Sequence, residues 1–148
     1  MSAGLVEAAV FRLAGEFFAL RLEEVEEVVL APTLTPVPMA PPALAGVTAV
    51  RGGVVAVVDL KAAWGLGGTA GSMCMICRVG GDRLALAVDS VEEIAPLEVL
   101  EGTAAPADPR GPRGPLAAWE GQLVRFLDVK ELARLPRPGE PAQGEALR

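Results

Sequence analysis

The sequence predicts an all-β chain arranged as two small barrels side by side. Three observations carry that expectation: an internal repeat, short apolar runs separated by glycine turns, and the lack of any long amphipathic helical stretch. The repeat falls in two blocks. Residues 11–28, FRLAGEFFALRLEEVEEV, match residues 77–94, CRVGGDRLALAVDSVEEI, at seven of eighteen positions with an offset of 66. Residues 48–61, TAVRGGVVAVVDLK, match residues 117–130, AAWEGQLVRFLDVK, with an offset of 69. Two blocks in the same order divide the chain into related halves, about 1–68 and 69–135, each expected to form one barrel. Two copies are too few for a solenoid.

In the first half, residues 7–13 and 17–22 flank Ala14-Gly15-Glu16, a hairpin link whose glycine can take positive φ. Phe18, Leu20 and Leu22 alternate onto one face. The run from Val28 to Val50 has no charge, but its five prolines make it a connector and not a membrane span. Residues 47–50 and 54–58 form a second hairpin around Arg51-Gly52-Gly53. Val54 to Val58 is apolar on both faces, which suits a strand at the seam between two packed units. Asp59 reads as an N-cap for the helical run Leu60–Trp64. The second half repeats these elements. Residues 73–79 and 83–88 flank Gly80-Gly81-Asp82, Leu84, Leu86 and Val88 alternate, Glu120-Gly121-Gln122 is the second turn, and Asp128 caps Val129–Arg134. Residues 101–115 read as a Pro/Gly-rich loop. Residues 136–148 hold little apolar surface, so a disordered tail is expected.

Composition narrows the function. Thirteen Lys and Arg against nineteen Asp and Glu leave a net charge of −6, the wrong sign for nucleic acid or an anionic membrane. There is no His, which excludes imidazole-based catalysis, metal ligation and pH switching. Two Cys make no disulfide framework and fit a reduced, cytoplasmic setting. Cys74 and Cys77 have the spacing of a zinc half-site. On a strand, however, they point to opposite faces, and the chain supplies no further Cys or His. The glycine run 65–71 follows a helical stretch and leads into a strand, the reverse of a dinucleotide fingerprint. The acidic cluster Glu23, Glu24, Glu26 and Glu27 recurs in the second half, so it belongs to the scaffold. Within it, Glu27 is the natural partner for Arg51 at its hairpin tip. No catalytic residues, metal or cofactor emerge from this reading.

In order and spacing, these residues resemble the CheW family of bacterial chemosensory coupling proteins. The likeness runs through Phe11–Leu20 with the following Glu-Glu-Val-Glu-Glu-Val, Thr35-Pro-Val-Pro, Gly46–Gly52, Val57–Leu60, Ala87–Ile94 and Phe126–Leu132. The resemblance implies two pseudo-symmetric, five-stranded SH3-like barrels with short helices. It also implies a non-enzymatic adaptor in the cytoplasm that joins methyl-accepting chemoreceptor signalling tips to the regulatory domain of a CheA-type histidine kinase. Carried over residue by residue, the receptor-binding positions are Val25, Glu27, Gly46 and Arg51. Two positions depart from the family pattern: Ala49 where Asn is usual, and Ala56 where Pro is usual. The competing readings are the same adaptor in a surface-motility or other signalling array, and a small-ligand or metal-binding barrel. The missing His and the opposed cysteines weigh against the latter.

Overall fold

The computed structural model describes residues 4–66, 68–69, 71–104 and 114–129. In chain order the strands are β1 (Leu5–Leu13), β2 (Glu16–Arg21), β3 (Val25–Leu30), β4 (Leu44–Val50), β5 (Gly53–Asp59), β6 (Met73–Val79), β7 (Asp82–Val88), β8 (Ser90–Val99), β9 (Leu116–Trp119) and β10 (Gln122–Phe126). A single 3-10 turn, Leu22–Glu24, and one short helix, α1 (Leu60–Ala63), complete the described elements. No described helix is long and apolar enough to cross a membrane.

Two-residue turns join the four hairpins. At Ala14-Gly15, Arg51-Gly52 and Glu120-Gly121 both turn residues have positive φ, with 48° at Arg51 and 78° at Gly52. That is the geometry whose twist matches a right-twisted hairpin. Asp59 caps α1 as expected, its carboxylate accepting from the Ala62 N–H at 3.2 Å. The counterpart helix after Asp128 lies outside the described residues beyond Val129, as do residues 105–113 and the tail 136–148.

The repeat halves, about 1–68 and 69–135, do not map onto the sheets one to one. β1-β2-β10-β9-β8 form a closed barrel, and β3-β6-β7-β5-β4 form a second sheet. Each half therefore gives its first hairpin to one sheet and its next three strands to the other. The reason is packing. Alternate residues of β6 enter different cores, Cys74 and Ile76 on one side and Met75 and Cys77 on the other. A hairpin apolar on both faces has to lie between two layers. The exchange also supplies the parallel pairs β2–β10 and β5–β7, which no tight turn can make.

Under the repeat offsets the two sheets have the same strand order, with one difference. In the barrel β8 pairs with β9, whereas the equivalent β3 and β4 do not pair, so the second sheet is open there. The expectation of two closed barrels holds for one. The open seam is clipped by a single bridge from the β3–β4 connector: Thr35 N donates to Val47 O at 2.8 Å, and Val47 N donates to Thr35 O at 2.9 Å.

The core has three parts. Ala8, Val10, Ala19, Leu97, Ala117, Val124 and Phe126 fill the barrel. Val50, Val55, Val57, Cys74, Ile76, Ala85 and Ala87 line the open sheet. Between them, Phe11, Leu13, Phe18 and Leu20 pack on Met75, Cys77, Leu84, Leu86 and Val88. Each such side chain contributes about 1.5–3 kcal/mol on burial, so this central layer holds the two sheets together. β5 covers the seam only in part. Val58 joins the central layer, but Val54 is 73% exposed, and β6 and β7 are the strands covered on both faces.

Candidate functional site

β3 and β8 escape the sequence pattern because their acidic residues interrupt the apolar alternation. Both are bulged at the same repeat position. Val25 pairs with Cys77 but Glu27 pairs with Ile76, leaving Glu26 as the extra residue on β3. Likewise Val10 pairs with Glu93 and Phe11 with Val91, leaving Glu92 extra on β8. A bulge turns the inserted side chain out of the regular alternation. Here it presents Glu26 to Arg78 on β6 and Glu92 to Arg12 on β1, at 3.9 Å for the latter pair.

The expected Glu27–Arg51 pair is present. Arg51 Nε donates to Glu27 Oε1 at 2.6 Å, from a turn residue held at φ 48°. The two-residue turn itself sets that conformation, as it does at Ala14 (φ 53°) and Glu120 (φ 47°), and the ion pair fixes where the Arg51 side chain points. The carboxylate raises the Arg51 pKa through that hydrogen bond. Because β3 and β4 do not pair, this contact spans the open seam from β3 to the tip of the β4–β5 hairpin.

Gly46 lies on the same seam. Its φ is 152°, and a Cβ there would sit 2.7 Å from the Thr35 carbonyl oxygen. Glycine is what lets the connector close on β4. Val25, two positions before Glu27, is half-buried against the central layer. The structure thus joins Glu27 and Arg51 directly, puts Gly46 on their seam, and roots β3 through Val25. Ala49 is exposed beside the turn, and Ala56 is half-buried between Val47 of β4 and Leu84 of β7.

Three further side chains complete the cluster. Arg83 of β7 donates through Nη1 to Glu26 Oε1 and through Nη2 to the Val50 carbonyl, both at 3.2 Å. It therefore links β3, β7 and β4. Arg78 takes the other oxygen of Glu26. Hydrogen bonding by Arg78, reinforced by Arg83, holds the Glu26 carboxyl below the usual range. The sequence does carry a signal for one of these pairs, since the repeat sets Arg78 on Arg12 and Glu26 on Glu92. Arg83 carries none, because its repeat counterpart is Phe17.

The remaining motifs have structural roles. Cys74 and Cys77 enter different cores, and burial pushes the Cys77 thiol up to about 12. Glu24 is raised mainly by burial beside the barrel rim. At Asp89 burial acts to raise the carboxyl, but hydrogen bonds from Lys61 Nζ and the Ala14 N–H outweigh it and hold the group low. Among the described residues, no group of three or more Cys, Asp or Glu is placed to hold a metal ion.

Residues 7–137 match the family model of the CheW-like domain. A search of curated proteins finds no match. Among solved structures, the chain is similar to the scaffolding protein TtCheW from Thermoanaerobacter tengcongensis, with 26% identity and a TM-score of 0.71 over 84% of this chain and 89% of that one.

Proposed function

The chain belongs to the CheW-like domain family, and from that premise we propose that it is a non-enzymatic chemosensory scaffold coupling chemoreceptor signalling tips to a CheA-type histidine kinase. The observation that supports this reading is the Glu27–Arg51 pair across the open seam. It fixes the direction of a charged side chain on a solvent-facing hairpin tip that adds little to the core, as expected of a recognition element and not of a packing one. In this reading Glu27 and Arg51 present the receptor face, the half-buried Val25 and the buried Gly46 shape it from beneath, and Arg78, Arg83 and Glu26 brace it. The kinase partner is its regulatory domain. The protein acts in the cytoplasm, held at a receptor array through these partners, and needs no cofactor. Its two sheets act as a pseudo-symmetric pair of SH3-like units.

The test is a titration of the purified protein against a receptor signalling hairpin and, separately, the kinase regulatory domain. Arg51→Ala is expected to weaken receptor binding about tenfold or more while leaving kinase-domain affinity near wild type. Glu27→Ala acts in the same direction, and the double substitution shows a less than additive loss. Equal receptor affinity for wild type and Arg51→Ala removes the seam from the proposal, and failure of the wild type to bind either partner overturns it.

A further inference from the structure

The connector between β3 and β4 carries a residue that neither the core nor the seam explains. Ala40 N donates to Val37 O at 3.2 Å, closing a turn with Pro38 second and Met39 third. Met39 has φ 60°. Proline followed by positive φ marks a type II turn, whose third position favours glycine. Met39 occupies that position fully exposed, so it packs against nothing that would offset the unfavourable conformation. Pro36, Pro38, Pro41 and Pro42 restrict the backbone on both sides, so the thioether stands on a stiff support.

The other described sulfur atoms are shielded. Met75 is fully buried. Met73 is half-buried, and its sulfur accepts the Val91 N–H at 3.3 Å. Cys74 and Cys77 are buried, and burial keeps both thiols protonated, which removes the thiolate through which cysteines react with peroxide.

We propose that Met39 is a sulfoxidation site, a surface thioether that takes an oxygen atom from hydrogen peroxide while the fold stays intact. The sulfur lone pair attacks one peroxide oxygen, the O–O bond breaks and an S–O bond forms. The transferred oxygen gives its proton to the departing hydroxide, which leaves as water. Methionine is oxidised to the sulfoxide by two electrons and peroxide is reduced by two, so no further reactant is needed. The product replaces an apolar knob by a polar, chiral one four residues beyond the Thr35 clip. The Val37–Ala40 turn and the clip are backbone bonds and do not involve the sulfur.

The experiment is peptide mapping by mass spectrometry after timed exposure of the full chain to hydrogen peroxide, with thermal melts on the same samples. The peptide carrying Met39 is expected to gain one oxygen, about 16 Da, at nearly the rate of free methionine, with Met73 and Met75 at least about tenfold slower. The melting temperature should stay unchanged, and the two epimer-specific methionine sulfoxide reductases together should reverse the mass shift. In Met39→Leu the corresponding peptide should stay unmodified, and Met73 and Met75 should react no faster than in wild type. Oxidation of Met73 or either cysteine as fast as Met39, or a melting temperature that falls as Met39 converts, overturns the proposal.

Discussion

The matching ends of the closed barrel and the open sheet use one scaffold in two ways. Under the repeat offsets, Phe17 corresponds to Arg83, Trp119 to Val50 and Glu93 to Glu27. In the barrel, Phe17 and Trp119 meet edge to face with ring centroids 5.1 Å apart, and Trp119 Nε1 donates to Glu93 at 2.8 Å. These contacts tie β2, β9 and β8 together. In the open sheet Arg83 ties the equivalent β7, β4 and β3, through the Val50 carbonyl and Glu26. The bulged glutamate and its arginine are common to both, as Arg12–Glu92 and Arg78–Glu26. What differs is the seal, aromatic in one and ionic in the other. Arg12 lies over the Phe17 ring at 4.9 Å, while Arg78 shares Glu26 with a second arginine. Charge sign inverts with it: one arginine stands among Glu92, Glu93 and Glu120, but three stand among Glu26 and Glu27.

Between these two ends, ladder pairing and surface chemistry trade off. The barrel joins β8 to β9 by backbone hydrogen bonds and leaves the corresponding turn, Glu120-Gly121, without the arginine. The open sheet gives up that pairing and spans the gap with side chains, which leaves a tip able to present charge. Gly46 is the most sensitive point of that arrangement. Gly46→Ala should cost on the order of 3 kcal/mol in urea denaturation, because the new Cβ collides with the Thr35 carbonyl and φ is outside the range alanine favours. Pro115→Ala, its repeat counterpart in the barrel, should cost under about 1 kcal/mol. Equal losses would show that the seam is no weaker than the closed ladder.

The two seals differ in worth by less. Trp119→Ala should destabilise the protein by about 2 kcal/mol, since the half-buried ring loses its partner Phe17 and leaves Glu93 without its donor. Arg83→Ala should cost about 1 kcal/mol, the scale of partly solvated hydrogen bonds. If Arg83→Ala proves the more costly in matched thermal melts, the ionic seal is the structural one and the contrast reverses.

The smallest effect concerns pH. The native Glu26 pKa lies below its unfolded value, so its contribution is fully present above the ordinary glutamate range and is lost as pH falls through the native pKa. The difference in melting temperature between wild type and Glu26→Gln should be constant above about pH 6 and shrink in acid. A carboxyl NMR titration should place Glu26 low in wild type and higher in Arg78→Ala. An unchanged titration in that variant would assign the shift to Arg83 alone.

Much of this architecture is legible in the residues themselves. Turn residues act on their immediate neighbours, so Ala14-Gly15, Arg51-Gly52 and Glu120-Gly121 announce their hairpins directly. The Asp59 cap and the opposed faces of Cys74 and Cys77 follow from the same local geometry. Glu27 and Arg51 are paired through the family likeness and the need of a turn arginine for a carboxylate. β3 and β8 stay hidden because a bulge breaks the period of two that makes a strand visible, and it does so at the glutamates that matter.

The hairpins, the repeat, the apolar layers of β1, β2, β6 and β7, and one ion pair can be read from the residues without coordinates. Tertiary structure alone decided that the halves exchange hairpins, that only one sheet closes, and that Arg83 replaces an aromatic seal. The physical reason is range. A turn or a cap is settled by residues a few positions apart, whereas a strand apolar on both faces, such as Met73–Val79, carries no pattern naming its neighbours. Its place is fixed only when strands from both halves compete for the same buried layer.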